Sequence, residues 1–221
     1  MSVSLTTLRT RVRERADMVG SSFVADSATG LDAWIVEGWQ QLHARMVDAL
    51  GDEYVESQAS FSTVAQQSDY TLPADFFKLY GIDLLVAGRN RTLKPWTRSA
   101  RNSLNAVNPT WHTFPQYRVT GQNLRLFPLP QVVMTGTIYY APQASALANP
   151  GDTINPPNGW ETYVVLYAAI QALMKEESDV KPLREELARM EAELARMKDD
   201  RDAAFPHQAV DMDAVNLDWR W

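Results

Sequence analysis

Residues 160–174 constrain the fold more than any other stretch, because their side chains are apolar nearly all the way round a helix. Val164, Val165, Leu166, Ile170 and Leu173 lie there among several alanines. A helix of this kind must be covered on every side by other elements. The apolar run is shorter than the roughly 20 residues of a membrane span. We therefore expect a soluble protein with no membrane partner.

Two helices are predicted near the start of the chain. The first is predicted from apolar residues at helical spacing, namely Leu5, Leu8, Val12, Ala16 and Val19. The second is predicted over 31–50, with Asp26 or Ser27 as its N-cap and Gly51 at its end. Gly38 in its middle costs about 1 kcal/mol relative to Ala, so we expect a close contact with another helix there.

A last helix is predicted to begin around Pro182. Its apolar residues repeat by four, three, four and three, at Leu183, Leu187, Met190, Leu194 and Met197. This heptad spacing covers about two heptads, which is too short for a free-standing coiled coil. Antiparallel pairing with another helix of this chain or of a neighbouring copy is the prediction.

Between the helices, the pattern changes to the alternation of β-strands. Strands are predicted at 55–63, 79–86, 91–96, 116–120, 124–127 and 134–140, with a short extended piece at 68–73. The strand at 79–86 is apolar on both faces apart from Asp83, so it should be central. Turns are predicted at 88–90 and 121–123, a short helix at 99–107, and a loop at 141–158.

The sequence thus predicts an α+β fold, with a helical bundle formed by N- and C-terminal helices and an inserted antiparallel β-rich middle region. The expected divisions are 1–54 for the first helices, 55–158 for the β-rich insert, 159–204 for the last helices and 205–221 for a C-terminal arm.

Residues for catalysis or metal binding show no recognisable pattern. The chain has no Cys, which removes disulfides, thiolate zinc sites and a cysteine nucleophile. Its histidines, His43, His112 and His207, are far apart, and no nucleotide-binding or hydrolase motif occurs. We expect a non-enzyme without cofactor or metal, although a carboxylate pair assembled only by the fold stays open.

The charge distribution bears on nucleic-acid binding. A net charge of -6 argues against wrapping nucleic acid with the whole surface, but it is compatible with a lumen through which DNA slides. Arg9, Arg11, Arg13 and Arg15 spread over two faces of the first helix. Two interpretations of these arginines are contact with DNA phosphates and a solvated or salt-bridged helix. The second is favoured.

The end of the chain combines large apolar residues with a tail-like composition. Aromatic residues dominate interface hot spots, so Trp219 and Trp221 either patch the parent domain or anchor an arm on a partner. The arm is favoured. The candidate interface residues are Phe205, Leu217, Trp219 and Trp221 of the arm, with Leu187, Met190, Leu194 and Met197 of the last helix.

Four stretches, taken in order, resemble head-to-tail adaptor (connector) proteins of tailed bacteriophages. They are DAWIVEGWQQLHARMVDALGDEY (32–54), YTLPADFFKLYGIDLL (70–85), YRVTGQNLRLFPLP (117–130) and NGWETYVVLYAAIQALMKEESD (158–179). Each is an architectural signature rather than a site.

The resemblance implies a virion protein of the portal vertex or neck, made in the host cytoplasm. Such adaptors form a ring, commonly of twelve copies, beneath the portal protein. They extend the channel for genomic double-stranded DNA and dock the tail or nozzle protein. Their β-rich middle faces the tail, and the carboxyl segment often reaches the portal.

Other functions compete with this one. A tail-tube or nozzle ring component is disfavoured by the four predicted helices, since those proteins are usually β-dominated. A DNA-binding regulator using the Arg-rich first helix predicts duplex binding that falls steeply with salt. A cell-wall hydrolase predicts loss of activity from a single carboxylate change in the middle region.

Overall fold

The described part of the chain has an α+β architecture, with helices at both ends and antiparallel-rich sheets between them. A computed structural model describes residues 2–51, 54–97, 116–157 and 159–196. The helices described are α1 (Leu5–Arg15), α2 (Leu31–Leu50), α3 (Glu161–Lys175) and α4 (Lys181–Arg196). The strands are β1 (Val3–Ser4), β2 (Ser57–Ser62), β3 (Asp69–Thr71), β4 (Phe76–Val86), β5 (Arg89–Thr92), β6 (Lys94–Pro95), β7 (Gln116–Thr120), β8 (Asn123–Phe127), β9 (Thr135–Pro142) and β10 (Thr153–Ile154).

Helix α3 lies in the middle of a hydrophobic core to which all four described helices contribute. Tyr163, Val164 and Ala168 of α3 are fully buried, as are Leu8 of α1 and Leu42 of α2. Leu194 of α4 belongs to the same core. Burying one large aliphatic side chain contributes about 1.5–3 kcal/mol, so this shared core holds the two ends of the chain together.

Gly38 marks the closest approach between α2 and α3, which confirms the close helix contact expected there. A Cβ atom at this position would lie 3.0 Å from Cδ1 and 3.2 Å from Cβ of Tyr167. The phenol of Tyr167 then accepts a 3.0 Å hydrogen bond from Gln41 on α2. The missing side chain lets the Tyr167 ring lie directly on the backbone of α2.

The ends of the first two helices differ from two of the predictions. Helix α1 ends at Arg15, since Asp17 adopts a positive φ of 54°, and Val19 beyond it is 72% exposed rather than part of the buried stripe. The N-cap of α2 is Gly30, without a side-chain cap. Asp26 instead pairs with Arg13. The predicted end of α2 at Gly51, which has a φ of 60°, is confirmed.

Two four-stranded sheets make up the middle of the chain and share a second core. Their strand orders are β2-β9-β4-β5 and β3-β8-β7-β6. Ile82 and Leu84 of one sheet and Leu124 and Leu126 of the other are almost fully buried between them. Strand β4 has a neighbour on each side, which confirms its central position, and the β7–β8 hairpin is also confirmed.

Other predictions for the middle region need correction. The turn before β5 is Ala87-Gly88, with φ angles of 50° and 76°, so Arg89 already belongs to the strand. The segment at 141–158 is not only a loop: β10 within it pairs antiparallel with β1, joining Ile154 to Val3. A two-residue strand has too few positions to show alternation. The helix predicted at 99–107 lies outside the described residues.

Candidate assembly interface

The apolar face of α4 is turned toward the core of its own chain. Leu194 is 3% exposed, and Leu183, Leu187 and Met190 are half-buried against the same core. Helix α4 packs on α2 and α3, so the heptad spacing serves contacts within the chain. Met197, Phe205, Leu217, Trp219 and Trp221, the remaining predicted interface residues, lie outside the described residues.

A cleft of about 260 Å³ opens between α2 and the end of α4. Its lining residues are Arg45, Asp48, Ala49, Glu191, Leu194 and Ala195. Arg45 forms a 2.8 Å ion pair with Glu191, which also accepts a 3.2 Å hydrogen bond from the Tyr163 hydroxyl. Burial of the Tyr163 ring, more than its charged neighbours, raises the pKa of Tyr163 to about 12. The Tyr163 hydroxyl therefore stays protonated and donates its hydrogen bond to Glu191 of α4.

The four arginines of the first helix are each engaged with a carboxylate of the same chain. Arg9 makes two hydrogen bonds to Asp32, of 2.7 and 2.8 Å, which raise the pKa of the Arg9 guanidinium. The other pairs are Arg11 with Glu161, Arg13 with Asp26, and Arg15 with Glu186. These guanidinium groups tie α1 to α2, α3 and α4.

Seven of the nine large apolar side chains exposed in the described residues fall into two groups, and the other two are Phe77 and Leu85. At the helical end, Val19, Phe23 and Met174 are 72%, 50% and 47% exposed. Lys175 lies 5.2 Å from the Phe23 ring centroid, which brings the loop after α1 next to the end of α3. We call Val19, Phe23 and Met174 the helical-end patch.

The second concentration lies on two neighbouring loops of the β-rich region. Val64, Leu129, Val132 and Val133 are 50%, 37%, 46% and 73% exposed. Thr63 ties the loops together, because its hydroxyl donates to the carbonyl of Val132 over 3.0 Å and accepts from the Met134 amide over 2.8 Å. We call Val64, Leu129, Val132 and Val133 the β-tip patch. Sequence reasoning missed both patches, since an isolated apolar pair in a loop carries no periodicity.

Strand β9 separates the β-tip patch from the helices. Its first residue, Thr135, follows the patch, whereas its last, Pro142, accepts a 2.9 Å hydrogen bond from His43 of α2. Eight residues at about 3.3 Å each place the patch roughly 25 Å from this junction.

His43 occupies the junction between the helices and the sheets. It is 6% exposed and packs against the rings of Trp39, Tyr54 and Phe77 at 5.6 to 6.0 Å. Burial lowers the pKa of His43, and the hydrogen bond to the Pro142 carbonyl offsets part of that effect. The environment is that of a packed histidine joining two elements.

The described residues contain no group of three or more acidic or histidine side chains placed to hold a metal ion. None of the described helices has the length and apolarity needed to cross a membrane.

Comparison with known proteins agrees with the resemblance noted in the sequence. No curated protein matches the chain. The family described as SU10 adaptor protein matches residues 3–211, which is nearly the whole chain. The chain therefore belongs to the SU10 adaptor protein family, a family of bacteriophage head-to-tail adaptors, and is a structural component of the virion.

Proposed function

We propose that this protein forms a ring beneath the portal, extends the DNA channel and docks the tail. The observation that carries the proposal is the pair of apolar patches, one on the helical end and one on the β tip. Monomeric proteins seldom expose grouped apolar side chains without a partner. A subunit that joins two different structures needs two separate surfaces of this kind.

In this proposal, the helices and the β-rich region each contact a different partner. The four helices form a bundle that meets the portal through the helical-end patch, and the β-tip patch meets the tail or nozzle protein. The proposed divisions remain 1–54 and 159–204 for the bundle, 55–158 for the β-rich insert and 205–221 for the arm. The arm, with Trp219 and Trp221, docks on the portal.

Twelve copies make the proposed ring. A closed ring needs a heterologous interface between neighbouring copies. We expect the free protein to be monomeric and to assemble only on the portal.

Electron microscopy of the protein mixed with the portal protein tests this. The expected result is a ring attached to the portal in class averages and co-migration of the two proteins in size-exclusion chromatography. Class averages without a ring, together with separate migration, would overturn the proposal. A tight dimer at all concentrations would also contradict a cyclic ring.

A further inference from the structure

Positive charge is segregated into one part of the chain. Between Asp83 and Asp152, residues 84–151 contain seven of the 21 Lys and Arg residues and none of the 27 Asp and Glu residues. This segment therefore carries a formal charge of +7. The rest of the chain, with 14 basic and 27 acidic residues, carries -13. The overall charge of -6 conceals this division.

Strand β5 displays part of this charge openly. Its sequence is RNRT, and all four residues are exposed. Arg89 and Arg91 are two residues apart and therefore lie on the same face. Lys94, the second residue after β5, is also exposed. Strand β5 contributes no apolar side chain to the core, and although Thr92 donates a hydrogen bond to Asp83, the two arginines are available to another molecule.

Arg125 of this region pairs with Asp69, but other described cations here lack such a partner. Among the described residues, Arg89, Arg91, Lys94 and Arg118 form no ion pair, whereas all four arginines of α1 do. Arg118 lies 5.4 Å from the ring centroid of Trp96, which orients its guanidinium without neutralising it. Charged edge strands also discourage strand-to-strand aggregation, but that purpose does not require 68 residues without a carboxylate.

We infer that the basic strip, defined as Arg89, Arg91, Lys94 and Arg118, contacts the phosphate backbone of duplex DNA. Lys and Arg that neutralise phosphates bind DNA without regard to its sequence, which suits a duplex that moves through a channel. The arginines of α1 are already paired with carboxylates of their own chain, so the duplex passes along β5 and β6 rather than along α1. This inference rests on the proposed function, which supplies the DNA in the channel.

Binding of a fluorescent duplex to the full-length protein, measured by anisotropy over a salt series, tests the inference. The variant is Arg89→Gln/Arg91→Gln, and the matched control is Arg11→Gln/Arg15→Gln, which removes two exposed but ion-paired charges. We expect the β5 variant to bind at least about tenfold more weakly at low salt. Its slope of log K against log salt should decrease by about 2 for each bound copy. The control variant should keep the wild-type affinity and salt slope. Replacing the duplex by one of scrambled sequence should also leave the affinity and slope of the wild-type protein unchanged. Lys94→Gln/Arg118→Gln should act in the same direction.

Three outcomes overturn the inference. One is a wild-type protein that does not bind duplex at low salt, and another is a β5 variant with wild-type affinity. A third is a β5 variant that loses association with a second copy but keeps its DNA affinity, because the strip would then contact carboxylates of that copy. Ring formation on the portal is measured on the same variants. If no ring forms on the portal but the β5 variant still binds DNA more weakly than the wild type, only the proposed function is contradicted.

Discussion

The ring of Phe61 on β2 lies directly over Gly136, its cross-strand partner on β9. A Cβ atom at position 136 would come within 2.3 Å of Phe61 Cε1 and 2.7 Å of Leu84 Cδ2. Because overpacking a core costs about 1–3 kcal/mol, Gly136→Ala should lower the free energy of unfolding by about 2 kcal/mol. The corresponding fall in Tm is roughly 4–8 °C, measurable by calorimetry.

Gly151→Ala serves as the control for that substitution. A Cβ atom there would have no heavy atom within 4 Å, so this variant should keep the wild-type Tm. Equal Tm values for Gly136→Ala and the wild type would show that Phe61 on β2 and Leu84 on β4 move aside without loss of stability.

The Arg9–Asp32 pair should couple more strongly than the Arg15–Glu186 pair. The side chains of Arg9 and Asp32 are 18% and 12% exposed, against 42% and 38% for the second pair. A two-pronged, partly buried pair is screened less by water, so we expect a coupling of about 1–2 kcal/mol. The exposed pair should give less than about 1 kcal/mol. Double-mutant cycles with Ala, measured by urea unfolding, check both values, and equal couplings would contradict the expectation.

Stability should fall as the pH drops below about 6.5, and His43 should cause part of that fall. Burial lowers the pKa of His43 in the folded protein, so below pH 6.5 the unfolded chain binds a proton that the folded chain excludes. Proton binding then lowers the free energy of the unfolded state relative to the native state, and stability falls. The window extends from the ordinary value of 6.5 down to the lowered pKa.

His43→Gln isolates this contribution, because its amide can still donate to the Pro142 carbonyl. Urea unfolding at pH 7.5 and pH 5.5 should show a smaller loss of stability for the variant than for the wild type. Identical losses in the two proteins would mean that His43 titrates equally in both states.

Substitutions in the two apolar patches should separate the two partners. Val133→Ser should weaken attachment of the tail or nozzle protein and leave portal binding intact, whereas Val19→Ser should do the reverse. Both side chains are more than 70% exposed, so each variant should keep its free energy of unfolding within about 0.5 kcal/mol. Pull-down with each partner and thermal unfolding provide the measurements. Loss of both partners from either variant would contradict the separation of the surfaces.

The sequence predicted those elements in which buried side chains recur at the regular spacing of a helix or a strand. The stripe of α2, the apolar surround of α3 and the alternation of Ala59 and Phe61 in β2 all correspond to burial. The family resemblance was equally recoverable, because it rests on the order of such elements.

Features fixed by partners distant in sequence could not be predicted in the same way. Asp26 is a favourable N-cap residue, yet Arg13 holds it in an ion pair. Ala87 gives no signal for the positive φ that it adopts at the β4–β5 turn. The interface residues of the candidate site depend on exposure, which the apolar character of Val132 and Val133 does not reveal.

The β1–β10 pairing has a consequence for synthesis on the ribosome. Val3 is joined to Ile154, and the core around Leu8 needs residues of α3 and α4. The amino-terminal helix thus emerges first but must wait for almost all of the described chain before its apolar face is covered. The middle sheets, whose contacts close within 57–142, can fold earlier. A chain released after residue 160 should therefore contain a protease-resistant centre with an accessible amino terminus.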